Sequence, residues 1–233
     1  ALTDEAHRHG LMVCAHLTYA ADYVQAARCG VDSVHHAAFD GVITDRVADE
    51  LIEAGVVFVP TLSLASLLID GMQYRWCDDP QFTAGLPPAL VRNMREFTTH
   101  YEQCPPDEPV PGFFVSLPKR EWEAVPENQL RNVAKYIERG GTIALGTDSA
   151  LGFSLHGTPV REMELMVEAG LNTVEAIQAA GQNAARVFSH KENIGTITPG
   201  ALADCLLVPA EITASMTHLA DISTVIQGGK VIR

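Results

Sequence analysis

Four short polar stations in this sequence hold the residue types that hydrolytic chemistry uses. They are His16, the adjacent pair His35-His36, Pro60-Thr61, and Gly146-Thr147-Asp148-Ser149, and each follows a short apolar run. Imidazole nitrogens with a carboxylate oxygen suit a hard or borderline divalent cation, Zn²⁺ above all. Two or three imidazoles and one carboxylate leave a coordination position for water. The metal lowers that water's pKa toward roughly 7 and polarises a substrate carbonyl. Each residue alone has a plainer reading. A single histidine such as His16 at a strand end is ordinarily a hydrogen-bonded loop residue, and Asp148 after Gly-Thr suits the cap of a following helix. His35 and His36 alternate across a strand, so at most one of them faces a site there. What points to metal is the recurrence of such residues at the ends of separate strands.

The pattern around these stations predicts strands over 11–15, 31–34, 56–59 and 142–145. Helices are expected over 2–9, 19–28, 44–54, 127–139, 159–169 and 173–180. Thr44 and Asp45 are suitable N-cap residues, and Gly10, Gly30, Gly55 and Gly140-Gly141 mark helix ends. Strands alternating with helices mean β/α units and a parallel sheet with right-handed crossovers, whose ligands sit at the carboxyl ends of the strands. The Pro-rich stretch 63–126 reads as irregular, with one helix over 89–101. Because it follows the third strand, it is expected to drape over the mouth as a lid and to set substrate choice. From residue 192 onward the character changes. Turn chemistry over 195–200 and short antiparallel strands over 206–208, 223–226 and 227–232 predict a small β appendage, dividing the chain into 1–191 and 192–233.

Composition removes several classes of function. The 233 residues are 47% hydrophobic and 19% charged, an ordinary globular balance. Sixteen Lys+Arg against 29 Asp+Glu give a formal charge of −13, which argues against a nucleic-acid backbone or an anionic membrane surface as partner. No apolar run approaches the roughly 20 residues that span a bilayer, and no charged-then-apolar stretch precedes a cleavage site, so export is not expected. Five widely spaced cysteines with no C-x-x-C pair favour neither disulfides nor a Cys-rich zinc site. A cytoplasmic protein is expected.

The segments "GLMVCAH", "AARCGVDSVHH", "GGTIALGTDSALGFSLHG", "ELMVEAGLNTVEAIQAAGQNAARVF" and "IGTITPGALADCLLV" occur here in one order. That succession resembles the C-terminal half of the metal-dependent amidohydrolase superfamily, within it the imidazolonepropionase-like and Xaa-Pro dipeptidase-like branch. The resemblance covers nearly the whole chain and is weakest over 63–126. It implies an α/β fold: strands five to eight of a (β/α)₈ TIM-type barrel, plus part of a small β-sandwich built from both chain ends. It implies one or two divalent metal ions, Zn²⁺ first, with His16 as the fifth-strand ligand, His36 as the sixth-strand histidine, and Asp148 as eighth-strand ligand and general base. The residue before the sixth-strand histidine is commonly Glu in that family and is His35 here, which leaves the assignment between His35 and His36 open. His156, in Leu-His-Gly, falls near the family's substrate mouth. The family's first-strand His-x-His and fourth-strand Lys have no counterpart. His7 and His9 have the spacing but sit on a helical segment as surface residues, so the sequence reads as a fragment that alone binds metal poorly.

The activity implied is hydrolysis of an amide or related C–N bond in a small cyclic-amide or dipeptide-like substrate. Metal-bound hydroxide attacks the carbonyl carbon, and Asp148 moves the proton from water to the leaving nitrogen. A deaminase of the same superfamily is the nearest alternative. Many of those carry a proton-shuttling Glu three residues after the fifth-strand His; here that position is Tyr19, a substrate-side candidate. A non-catalytic half-barrel acting as a partner module is the alternative from another class. Its partners would be proteins rather than a small molecule, and a homo-oligomer is compatible with either.

Overall fold

The computed structural model describes residues 1–233 except Phe114, Leu151, Gly152, Thr158 and 189–192. At its centre lies a parallel sheet of β1 (Cys14–His16), β2 (Ser33–His35), β3 (Val57–Val59) and β4 (Thr142–Ile143), hydrogen-bonded in that order. Helices α1 (Leu2–Arg8), α2 (Asp22–Cys29) and α3 (Asp45–Glu53) precede or link the first three strands. Between β3 and β4 lie α4 (Leu62–Gln73), α5 (Pro80–Thr83), α6 (Pro88–Gln103) and α7 (Lys119–Glu138). After β4 come α8 (Pro159–Glu168) and α9 (Thr173–Gln178), the latter running into a π turn, Ala179–Asn183. A doubly wound sheet reverses its order partway and carries helices on both faces. Strands laid down consecutively in one direction send right-handed crossovers to one face, as in a barrel wall.

The pleat sorts the side chains accordingly. Val34, Phe58 and Ile143 share a rank across the sheet and pack into the helix layer with Tyr23, Leu51, Tyr136 and Met166. Phe58 and Leu51 are wholly buried, each contributing about 1.5–3 kcal/mol by removal from water. The neighbouring ranks, Cys14–Ser33–Val57 and His16–His35–Val59, face the other way. Helix α3 illustrates the local logic. Thr44 caps it by accepting from Val47 N at 3.3 Å, and Val47, Ala48 and Leu51 form its buried stripe.

One sheet edge is already occupied. Ala144 N donates to Phe58 O, so the polar groups of Ile143 and Leu145 point away from β3. Leu145 N donates to Ala179 O at 3.0 Å, and Asn183 Nδ2 donates to Ile143 O at 2.9 Å, both from the π turn. The same segment covers Val57, Val59 and Ala144 with Ala184 and Val187. Gly181 is needed there, because a Cβ would lie 2.9 Å from Gly195 O.

Residues 63–126, expected to be largely irregular, are mostly helical. The prolines were the misleading signal: Pro80 and Pro88 begin α5 and α6, where a missing N–H costs nothing. Pro126 sits inside α7, which starts eight residues earlier than the periodicity predicted. These helices build their own core from Leu68, Ile69, Met72, Met94, Tyr101 and Trp122, and it closes on Phe39 after β2 and Phe153 after β4. Helix α2 starts later than expected, at Asp22, leaving Tyr19 in the loop after β1.

The C-terminal strands β5 (Cys205–Leu207), β6 (Thr224–Gln227) and β7 (Lys230–Val231) form a separate antiparallel sheet in sequence order. The boundary expected at 191/192 lies outside the described residues. Among the described residues, no helix is long and apolar enough to cross a membrane.

Candidate functional site

A cavity of about 540 Å³ opens where the parallel strands end, lined by Cys14, His16, His35, His36, Val59, Thr61, Leu145, Gly146 and Asp148, with Ala184, Val187 and Phe188. Sequence alternation allowed only one of His35 and His36 to face it, and that expectation fails. His35 is the last residue of β2, on the inner rank with His16. His36 lies just beyond the strand with φ +68, which breaks the alternation and returns its side chain to the same space.

The His36 backbone is held on both sides. Its N–H donates to Val59 O at 2.9 Å, and its carbonyl accepts from Tyr23 Oη at 2.5 Å. Tyr23 is wholly buried, and that burial raises its phenol pKa so that it stays a donor. On the imidazole, Nδ1 lies 2.7 Å from Thr61 Oγ1 and Nε2 lies 2.8 Å from His16 Nδ1. The two rings meet edge to face with centroids 4.4 Å apart. The loop after His36 is read by one face of α7. Asn128, Gln129 and Asn132 donate to Phe39 O, Ala37 O, and both Ala38 O and Gly41 O, while Asn132 Oδ1 accepts from Ile43 N at 2.8 Å. Lys135 Nζ adds a bond to Ile43 O at 2.8 Å.

Strain gathers at the same place. His36, Thr61 and Asp148 have left-handed backbones (φ +68, +51 and +46), and each follows a strand of the sheet. Such conformations cost about 1–3 kcal/mol per non-glycine residue and persist where the surroundings over-determine them, commonly at functional sites. Gly146, three residues past β4, packs tightly on β3: a Cβ there would stand 2.5 Å from Val59 Cγ1.

Burial favours the neutral imidazole at His35 and His36. Burial first, and then neighbouring His16, push His36 down to about 4, with Asp148 acting in the opposite sense. His35 is also lowered, again chiefly by burial, and Asp148 opposes the shift. Neutral imidazole keeps a lone pair, the state a metal ligand needs.

The structure therefore brings together His16, His36 and Asp148 on one cavity, with His16 and His36 in direct contact. It does not bring in Tyr19 or His156, which are exposed and absent from the cavity wall. His7 and His9 sit at the exposed end of α1 beside Asp32 and Glu5. Among the described residues, no group of three or more His, Cys, Asp or Glu is arranged to hold a metal ion. Two converging ring nitrogens, one of them fixed through its opposite ring atom by Thr61, do fit the donor chemistry of a borderline divalent cation. Sequence reasoning missed Thr61 as a partner of His36, the polar face of α7, and Glu162 on α8. The faint signal for the last was a glutamate inside the apolar stripe Met163, Leu165, Met166.

Comparison with known proteins agrees with this architecture. A search of curated protein sequences finds no match. Among solved structures, a Xaa-Pro dipeptidase with bound methionine in its active site superposes with TM-score 0.70 at 25% identity, covering 99% of this chain and 47% of that one. A prolidase complexed with N-methylphosphonate-L-proline gives TM-score 0.70 at 22% identity, over 100% and 47% of the two chains. The ochratoxinase of A. niger gives 0.71 at 22%, over 100% and 44%. The chain thus spans less than half the length of these structures. The family model described as "Amidohydrolase family" matches residues 1–232, and the chain belongs to that family.

Proposed function

We propose that this chain supplies the catalytic carboxyl-end half of a metal-dependent hydrolase that cleaves a C–N bond in a small amide or dipeptide-like substrate. In this reading β1–β4 correspond to strands five to eight of a (β/α)₈ barrel, and β5–β7 to part of a sandwich domain beginning near residue 192. The observation that carries it is the contact of His16 Nδ1 with His36 Nε2 at 2.8 Å, on a cavity that Asp148 shares. The Xaa-Pro dipeptidase and prolidase likenesses favour a dipeptide-like substrate over a nucleobase. A cytoplasmic setting goes with the reading, as does a small-molecule partner in place of nucleic acid or membrane, consistent with the charge of −13.

His16, His36 and Asp148 would hold one or two divalent ions, Zn²⁺ by donor type. When bound, such an ion supplies an acidified water and a positive charge for the substrate carbonyl. The chain's own part is to take the proton from water on Asp148 and return it to the leaving nitrogen. His36, neutral and fixed by Thr61, keeps its Nε2 lone pair turned into the cavity. Val59, Leu145, Ala184 and Val187 supply the apolar part of the cavity wall beside these groups.

The test is hydrolysis of Xaa-Pro dipeptides by the enzyme that carries this chain, with amino-acid and ammonia release followed in parallel. Asp148→Asn is expected to abolish amino-acid release with the fold retained. An unchanged rate would point to the non-catalytic module, and ammonia as the product would point to the deaminase.

A further inference from the structure

Thr61 occupies the N-cap position of α4, where a threonine hydroxyl ordinarily accepts from the N–H of the second or third helical residue. It does not do so here. Its backbone is left-handed and its hydroxyl is turned 2.7 Å from His36 Nδ1. The cap is supplied from a hundred residues away: Glu162 Oε1 accepts from Leu62 N at 2.9 Å, and Oε2 accepts from Ser63 N at 2.6 Å. Glu162 is wholly buried on α8 and has no part in the proposed chemistry.

We propose that Glu162 is a positioning residue of the site: by capping α4 in place of Thr61, it frees the Thr61 hydroxyl to fix the ring of His36. The inference rests on the site reading above and adds a residue to it. The chemistry is consistent at each link. A carboxylate at a helix N-terminus satisfies orphan N–H groups and meets the positive end of the helix dipole. Both oxygens are used, so the turn carrying Thr61 is held from two points. Thr61 can then accept from a protonated Nδ1, which leaves the Nε2 lone pair directed at His16 and the cavity. A hydrogen bond on the far ring nitrogen commonly sets tautomer and orientation in this way. Burial pushes the Glu162 carboxyl up to about 7, while the two backbone N–H bonds pull it down, as expected of a buried group that needs its donors.

The experiment is ¹H–¹⁵N correlation across the His36 ring in the 233-residue chain, with thermal melting and Zn²⁺ titration alongside. The wild type is expected to show the tautomer protonated at Nδ1. Glu162→Gln keeps one acceptor and sets an NH₂ against the other helix donor; it should give a mixture of tautomers, and so should Thr61→Val. Thr61→Ser should restore the single form. In a Thr61→Val background, adding Glu162→Gln should change the ring no further. Where the wild type binds Zn²⁺, both variants should weaken it about 10- to 100-fold. A folded Glu162→Gln chain with His36 still in one tautomer overturns the proposal. If Glu162→Gln does not fold, Glu162→Asp, which keeps the charge but is one methylene shorter, takes its place with the same criterion. Because the tautomer is read without metal, failure of Zn²⁺ binding in the wild type counts against the metal reading alone.

Discussion

Replacing Asn132 with Ala is expected to loosen the loop that follows His36 and to destabilise the whole chain. Asn132 is wholly buried on α7 and spends its amide on three backbone groups, accepting from Ile43 N and donating to Ala38 O and Gly41 O. Ile43 and Ala38 are themselves buried. Truncation orphans one buried N–H, at about 1–3 kcal/mol, and removes donors from two carbonyls at about 0.5–1.5 kcal/mol each. Those contributions give about 2–6 kcal/mol. For a chain of this size each kcal/mol lowers Tm by about 2–4 °C, so a fall on the order of 10 °C is expected. Asn132→Asp sharpens the test. It keeps the acceptor for Ile43 N but turns a second oxygen on two carbonyls, so at neutral pH it should be no better than Ala and should recover as acid protonates it. Urea titration and amide exchange at Ile43 would read both effects. A loss below about 1 kcal/mol for Asn132→Ala, or Asn132→Asp as stable as wild type at pH 7, would refute the claim that α7 positions the loop by hydrogen bonds.

Two further outcomes follow from the same geometry. Gly146→Ala sets a methyl 2.5 Å from Val59 Cγ1 and should cost about 1–3 kcal/mol by overpacking, with shifted methyl resonances for Val59; an unshifted Val59 would contradict it. Glu162, raised from 4.5 to about 7 when folded, holds its proton more tightly in the native chain than in the unfolded one. Its stabilising contribution is therefore full below 4.5 and is lost as pH rises toward 7. Urea titrations across that window should show this downward slope in wild type and not in Glu162→Gln; parallel profiles would count against it.

How much of this could be read in the sequence depends on which interactions are local. The strands were legible because β-branched runs such as Val56-Val57-Phe58-Val59 sit between a glycine and a proline. His16, His36 and Asp148 were legible as a set because each stands just past such a run. That His35 and His36 both face the cavity was not, because it turns on one left-handed φ held by Tyr23, Val59 and Thr61 from two other segments. The helices of 63–126 were hidden by prolines that begin helices instead of ending them. The polar face of α7 looks in sequence like a solvated surface. Only the fold reveals that Gln129 and Asn132 are buried against loop backbone.

The hydrogen bonds that Ala179 and Asn183 make along β4 have a consequence for how the sheet can grow. A segment joining at that edge must first exchange those two bonds for its own, whereas β1 has no strand on its outer side among the described residues. Addition is therefore directional. A strand added beside β1 would lie next to Cys14 and His16, and so beside the cavity that those two residues line.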